Sequence, residues 1–242
     1  MLDTDFFLDG ISARSKGIYC GSPVSFSAAV PRISPVQIAG RSGDLLQDDG
    51  GYYNISAKVD CFTMATRTGS TAMTDMKEVA GFLFSTRGYR RLTTYEDPDH
   101  YWLAYIKNAA EIAPRLNFLN PFNIEWECKP YAYLTGYDDR ISVPASEDIT
   151  VENPTAFDAY PLFYITGSEG ATIATGNGYI QLASAVTDMI YDAETERAYT
   201  GAGMSYDSAV SAHGVPYFSA GTNALRVEGA TVQYIPRWRE IL

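Results

Sequence analysis

Two glutamates at alternate positions, Glu125 and Glu127, are the residues that most suggest chemistry in this sequence. A pair of carboxylates that flanks a sugar bond is the machinery of glycoside hydrolysis. In a strand, both side chains would share one face with Asn123 and Lys129, because side chains alternate between faces. Catalytic pairs instead face each other across a cleft. We interpret this face as solvated or interfacial and keep a glycosidase as an alternative.

Metal chemistry has a weaker basis in the sequence. His100 stands beside Asp97 and Asp99, but the only other histidine is His213, and a metal ion needs three or four convergent ligands. The run Asp48-Asp49-Gly50-Gly51 lacks the alternating acidic order of a calcium loop. We predict polar turns at both places, with no metal and no cofactor.

Nucleophilic catalysis is not indicated either. The sequence contains no G-x-S-x-G elbow, no P-loop and no dinucleotide-binding glycine motif, so no nucleophile, base and orienting group occur as a set. Cys20, Cys61 and Cys128 are far apart and form no C-x-x-C pair. This spacing predicts buried free thiols rather than a zinc knuckle or a disulfide framework. We therefore predict that the protein is not an enzyme.

Composition favours a globular, β-rich protein. Of the 242 residues, 46% are hydrophobic and 13% aromatic, with 18 tyrosines, a composition typical of β proteins with large contact surfaces. The net charge of −11 argues against a surface that grips nucleic acid, because phosphate binding depends on Lys and Arg. No signal peptide or membrane span is recognisable, and we expect folding in the cytoplasm.

Periodicity predicts the main elements of a first domain over residues 1–131. Apolar residues alternate with polar ones from Tyr53 to Cys61 and again from Phe122 to Cys128, after a break at Leu119-Asn120-Pro121, which predicts two strands with one buried face each. Between them, apolar residues recur at three and four positions, which predicts one amphipathic helix capped by Ser70 or Thr71. Its apolar stripe consists of Ala72, Met73, Met76, Val79, Ala80 and Leu83.

The stretch before the Tyr53 strand predicts a long β-hairpin arm. Gly40-Arg41-Ser42-Gly43-Asp44 and Asp48-Asp49-Gly50-Gly51 are turn-forming clusters on either side of Leu45-Leu46-Gln47. The arm offers no buried face of its own, and such a hairpin usually packs on another molecule. We predict that it contacts a neighbouring subunit through Gly40, Arg41, Gly43, Asp44, Leu45, Leu46, Asp48 and Gly50.

A polar stretch over residues 132–149, which carries Gly136 and Pro144, predicts a linker to a second domain at 150–242. Short strands separated by Gly- and Asn-rich turns follow it, which indicates a β-sandwich or jelly roll. The predicted strands are Tyr160–Thr166, Ala171–Ala174, Tyr179–Ala183, Met189–Asp192, Asn223–Glu228 and Thr231–Pro236. The fold class is therefore mainly β, with two β-sandwich domains.

The C-terminal sequence contains Arg237-Trp238-Arg239, for which two interpretations remain open. The tryptophan could anchor a partner contact, with the arginines as ion-pair residues. It could equally close the second sandwich, with the arginines at its rim.

These segments together resemble the distal tail proteins of siphophages. The resemblance rests on Gly40-Arg41-x-Gly-Asp, the strand from Tyr53, the helix followed by Tyr95-Glu96-Asp97-Pro98-Asp99, and Phe122 to Tyr131. It continues through Val151 to Thr155, Ile190 to Glu194 and the terminal Ile235 to Leu242. Asn153-Pro154-Thr155 departs from the family's Asn-x-Gly-Thr, and the carbohydrate-binding insertions of some members are missing.

The resemblance implies a structural protein of the virion, at the tail tip or baseplate. In that family the first domain forms a ring of six subunits and the second is a galectin-like sandwich. The implied partners are the tail-tube protein on one side, the tail-associated lysin or fibre protein on the other, and receptor-binding proteins around the ring, with DNA passing through unbound. The alternatives are a carbohydrate-binding module or glycosidase on a β-sandwich, and a tail-tube subunit.

Overall fold

A computed structural model describes residues 4–64, 72–108, 119–144 and 148–242. The chain divides into two compact units, one of residues 1–132 with 241–242 and one of residues 133–240. Antiparallel strands make up most of both units, so the prediction of a mainly β protein with sandwich-like domains is confirmed. One α-helix lies in the described residues, as predicted.

The first unit is built on a nine-stranded antiparallel sheet. The strands follow the order β2-β1-β8-β9-β10-β7-β3, with β4 beside β7 and the C-terminal strand β19 beside β10. The elements are β1 (Phe6–Leu8), β2 (Ile11–Ser12), β3 (Ile18–Cys20), β4 (Ser25–Phe26), β5 (Pro31–Val36), β6 (Leu45–Tyr52), β7 (Ile55–Met64), α1 (Ala72–Phe84), β8 (Arg90–Thr94), β9 (His100–Ile106), β10 (Leu119–Leu134) and β19 (Arg239–Ile241).

The two strands with strict alternation, β7 and β10, are neighbouring interior strands of this sheet. They pair antiparallel along ten residues, from Leu119 opposite Met64 to Cys128 opposite Ile55. Their alternate apolar side chains are buried in one hydrophobic cluster, as the periodicity predicts. Pro121 does not break the chain: it lies inside β10 opposite Phe62, close to the start of the strand, where a proline is tolerated.

Helix α1 contributes two residues of the predicted apolar stripe to the same core. Val79 and Leu83 are buried among the sheet residues, and the helix ends at Phe84, where the Ser85 amide donates to the Gly81 carbonyl. Gly88 follows in a left-handed conformation, with φ of 102°. The predicted caps Ser70 and Thr71, and the side chains at 72–76, lie outside the described part.

The second unit is an eight-stranded sheet bent by two long strands. Its elements are β11 (Ile141–Val143), β12 (Asp148–Asn153), β13 (Leu162–Thr175), β14 (Tyr179–Leu182), β15 (Val186–Asp192), β16 (Arg197–Tyr199), β17 (Val210–His213) and β18 (Gly221–Ile235). The early part of β13 pairs with β15 and the late part with β14, while β18 runs beside both parts. Residues from both halves form one core, which makes the unit sandwich-like.

Each long strand replaces two predicted strands. The predicted turns near Gly167–Gly170 and Gly229 are bulges in β13 and β18, where the register shifts between Gly167 and Thr172. A Cβ on Gly167 would lie 2.8 Å from the Cβ of Ala230, so the close approach of the two strands requires glycine there. Part of the stretch assigned to a linker is also strand, because β11 and the start of β12 pair with β18.

Candidate functional site

The predicted arm is a separate two-stranded sheet made of β5 and β6. The strands pair antiparallel from Pro31 opposite Tyr52 to Val36 opposite Leu45. Every residue from 31 to 50 is exposed. A two-stranded hairpin of this kind is marginally stable by itself in water. Contact with a partner would therefore stabilise this element.

Apolar side chains lie on both faces of the arm near its tip. Val36 is opposite Leu45, and Pro35 is opposite Leu46. Since consecutive residues of a strand point to opposite faces, these two cross-strand pairs occupy different faces. Leu46 is 65% exposed. The tip can therefore bury apolar surface against a partner on either side.

The two glycine-containing clusters that predict turns, residues 40–44 and 48–51, form two different structures. Gly40 and Gly43 lie in the tip between the strands, with φ of 79° and 85°, as predicted. The second cluster does not form a turn between strands, because Asp48 and Gly50 lie inside β6 at a register shift. There the Asp48 side chain accepts a hydrogen bond from the Gly50 amide at 2.8 Å, and Gly50 has φ of 72°. The same residues that favour turns here form a β-bulge.

The polar face of β7 and β10 carries paired charges. Lys58 Nζ lies 2.9 Å from Glu125 Oε1, and Lys107 Nζ lies 3.2 Å from Glu127 Oε2. Asn54 Nδ2 also donates to Glu127 at 2.9 Å. The hydrogen bond from Asn54, followed by that from Lys107, lowers the pKa of Glu127. A glycosidase requires one carboxyl with a raised pKa as the acid, and Glu127 is shifted the other way.

Asp97, Asp99 and His100 lie at a polar turn. His100 Nδ1 lies 2.9 Å from the Asp97 carboxylate, which is a local pair within three residues. Among the residues that the structure describes, no three His, Cys, Asp or Glu side chains come together as metal ligands.

Arg237, Trp238 and Arg239, which are predicted as a possible partner contact, make their contacts within the chain. Trp238 is 4% exposed and lies against Phe218, with ring centroids 5.8 Å apart. Arg239 is buried, and its Nε donates to the Asp158 carbonyl at 2.6 Å. Trp238 therefore closes the core, as in the alternative interpretation, and it offers no exposed anchor.

Arg237 lies in a left-handed conformation, with φ of 56°, and its Nη1 is 2.7 Å from Asp192 Oδ1 and 3.8 Å from Glu194 Oε2. Burial disfavours the charged guanidinium, but the two carboxylates outweigh this effect and raise its pKa. This residue too is engaged within its own unit.

The described side chains thus include no assembled catalytic set, and the most unusual feature is an exposed arm with apolar residues on both faces. No helix in the described residues has the length and apolarity needed to cross a membrane. The two-unit β architecture is similar to the fold of a hub protein of a phage adsorption apparatus.

The chain is similar in structure to the Dit protein of phage SPP1, a paradigm of the hub of the adsorption apparatus in phages that infect Gram-positive bacteria. The TM-score is 0.61 over 96% of this chain and 97% of that chain, at 12% sequence identity. A chain of the activated phage p2 baseplate aligns over 99% of this chain at 9% identity, with a TM-score of 0.49. No protein-family model and no curated protein matches the sequence.

Proposed function

We propose that this protein is a non-enzymatic structural subunit of a phage tail tip, and that its first unit closes a ring through the β5–β6 arm. The observation that carries the proposal is the arm itself, an exposed hairpin with apolar pairs on both faces, in a chain whose fold matches a tail hub protein along nearly its whole length. Six copies are expected, as the resemblance of the sequence to distal tail proteins implies.

In this proposal the arm of one copy contacts the next copy, which does not return its own arm to the first. Such a contact is heterologous, and a heterologous contact forms a closed ring when its rotation closes. A reciprocal exchange of arms would give a two-fold dimer instead, which the mass of the protein distinguishes. Gly40, Arg41, Gly43 and Asp44 form the tip, and Leu45 and Leu46 supply the apolar contact. In this proposal Asp48 and Gly50 set the local bend of the arm through the bulge.

The proposed partners follow from the place of a hub in a tail. We propose the tail-tube protein on one side of the ring, a tail-associated lysin or fibre protein on the other, and receptor-binding proteins around it. DNA would pass through the ring without specific binding. Two ion pairs, Lys58 on β7 with Glu125 on β10 and Lys107 after β9 with Glu127 on β10, suit such a channel wall, because neutralised lysines attract the phosphate backbone weakly.

The proposal is tested by the mass of the purified protein and by one substitution on the arm. Six copies of the 26.6 kDa chain give about 160 kDa in light scattering or native mass spectrometry. Leu46→Asp should reduce this to the monomer, because each contact loses about 2 kcal/mol of apolar burial and gains an uncompensated carboxylate. That loss alone weakens each contact by about 30-fold.

Met204→Asp is the matched control, since Met204 is also an apolar residue with 65% exposure but lies in the second unit. This variant should keep the mass of the wild type. A ring that survives Leu46→Asp would show that the arm is not the contact, and a wild type that stays monomeric at high concentration would contradict the ring. Open stacks of many rings in electron micrographs would instead favour a tail-tube subunit.

A further inference from the structure

Two of the three cysteines, 41 positions apart in sequence, lie directly opposite each other in the first unit. Cys20 on β3 is the cross-strand partner of Cys61 on β7. Because opposite residues of an antiparallel pair point to the same face, both thiols are directed toward the core. Cys61 is buried, and Cys20 is half-buried at the edge of the sheet.

The hydrogen-bond pattern shows that Cys20 and Cys61 are at a position of the ladder where the two strands have closely spaced Cα atoms. The next residues along, Gly21 and Asp60, are joined by a bond from the Gly21 amide to the Asp60 carbonyl at 2.7 Å. Hydrogen-bonded and non-hydrogen-bonded pairs alternate, so Cys20 and Cys61 form a non-hydrogen-bonded pair with Cα atoms about 4.5 Å apart. A disulfide spans Cα separations of about 4.4 to 6.8 Å, which includes this spacing.

The two thiols also differ in reactivity. They are hydrogen-bonded to each other, and this bond lowers the pKa of Cys20 while burial and the nearby Asp5 and Glu96 oppose the shift. The same bond, together with burial, raises the pKa of Cys61. Cys20 is thus the thiol that more readily becomes a thiolate, and it is also the more accessible of the two.

We propose that Cys20 and Cys61 are a site of thiol–disulfide exchange, and that they form a cross-strand disulfide when the protein meets a small-molecule disulfide such as oxidised glutathione. The Cys20 thiolate attacks one glutathione sulfur and releases one glutathione thiolate, which leaves a mixed disulfide on Cys20. Cys61 then loses its proton to the released thiolate, and its sulfur attacks the Cys20 sulfur. The second glutathione leaves, so the protein is oxidised by two electrons and the glutathione disulfide is reduced.

The proposed disulfide lies at the base of the chain segment that contains the arm. The residues between Cys20 and Cys61 include all of β5 and β6, so the disulfide closes a loop that contains the whole arm. It would fasten β3, a three-residue edge strand, to the interior strand β7 at the base of that loop. The cross-link does not require that the protein assemble, and it therefore goes beyond the proposed ring.

The third cysteine provides an internal control. Cys128 lies on β10 opposite Ile55, and burial raises its pKa to about 12. It should stay reduced under conditions that oxidise the pair. Cys128→Ser should accordingly retain the link, whereas Cys20→Ser or Cys20→Ala should abolish it and leave Cys61 as a thiol.

The experiment incubates the reduced full-length protein with oxidised glutathione, denatures it, alkylates it and measures its mass. The number of alkylated cysteines should fall from three to one, and trypsin should yield residues 17–32 linked to residues 59–67. Three alkylated cysteines in the wild type would overturn the proposal. So would glutathione retained on Cys20 beside an alkylated Cys61, a link to Cys128, or a link between two copies. Because the wild-type measurement is made on the chain in any assembly state, its failure would leave the proposed ring untouched.

Discussion

Removing the indole of Trp126 tests whether β10 holds the first unit together in the observed register. Trp126 is 1% exposed at the centre of the sheet, and its ring meets the edge of Phe6 with centroids 5.0 Å apart. Its partner across the ladder is Ala57 on β7. Trp126→Ala therefore removes a large apolar side chain from the middle of the core, at a place where the small facing residue cannot fill the space.

The magnitude follows from burial and from one unsatisfied group. Truncation of a buried tryptophan to alanine costs about 3 to 5 kcal/mol. An open pocket of about 310 Å³ also borders Trp126, lined by Leu8, Leu83 and Arg90 among others. The indole N–H of Trp126 is buried and has no hydrogen-bond partner among the described residues. Trp126→Phe removes this group and should cost only about 1 kcal/mol.

Urea unfolding followed by tryptophan fluorescence measures these differences in the first unit alone. Two tryptophans, Trp102 and Trp126, lie in the first unit, and Trp238 lies in the second. In a Trp238→Phe background, the emission comes only from the first unit. Trp126→Ala and Trp126→Phe are compared with that background, so the effect of the background substitution cancels.

Tyr95→Ala is the control, because Tyr95 is an aromatic residue of the same unit with 55% exposure. Its free energy of unfolding should stay within about 0.5 kcal/mol of the background. The reasoning is refuted if Trp126→Ala costs no more than Tyr95→Ala, since Trp126 would then not be a core residue of β10. It is also refuted if Trp126→Phe costs as much as Trp126→Ala.

Two further predictions concern charges in the two units. Arg237→Met should destabilise the second unit by about 1 to 3 kcal/mol, because it leaves the largely buried Asp192 carboxylate without its cation. Trp238 fluorescence during urea unfolding reports this loss. An unchanged midpoint would argue against the ion pair. Glu127→Gln should lower the urea midpoint at neutral pH, and this difference should shrink as the pH is lowered into the acid range. The folded pKa of Glu127 is lowered by Asn54 and Lys107, so its contribution is full above the unfolded pKa and is lost as the pH falls through the folded pKa; a difference that persists in acid would contradict this assignment.

Strict alternation made the centre of the first unit predictable. The period of two in β7 and β10 reflects one buried face, and burial is a strong determinant of strand register. The buried residues Ile55, Val59, Ile124 and Trp126 are therefore the ones that the pattern indicates. The helix was predictable for the same reason, because a stripe of period 3.6 has one apolar side.

Turn residues were the main source of error. Asp48 to Gly51 is predicted as a turn, and residues 167–170 separate two predicted strands, but both stretches are irregularities within one strand. Glycine at positive φ serves both structures equally well. Only the partner strand distinguishes them: β18 has its own glycine, Gly229, at the place where β13 bulges. A partner some 60 residues away is not visible in local sequence.

Some residues of the candidate site were predictable from local sequence, and others depend on contacts with distant parts of the chain. The exposure of Leu45 and Leu46 followed from a segment without a buried period, whereas the burial of Trp238 depended on its contact with Phe218, which no local pattern indicates. The opposition of Cys20 and Cys61 was hidden for a related reason, since it follows from the register of β3 on β7. The sequence contains no spacing signal for such a pair.

Backbone hydrogen bonds close the base of the arm beside β4 and β7. The Ser27 amide donates to the Ser56 carbonyl at 2.9 Å, and the Tyr53 amide donates to the Val30 carbonyl at 3.0 Å. These bonds join the two segments that lead from the β4–β7 pair into the arm, which begins with Pro31 opposite Tyr52. The arm itself is a separate two-stranded sheet. A closed ring requires one fixed rotation between neighbours, and a contact element with a hydrogen-bonded base has fewer accessible directions than a loop without one.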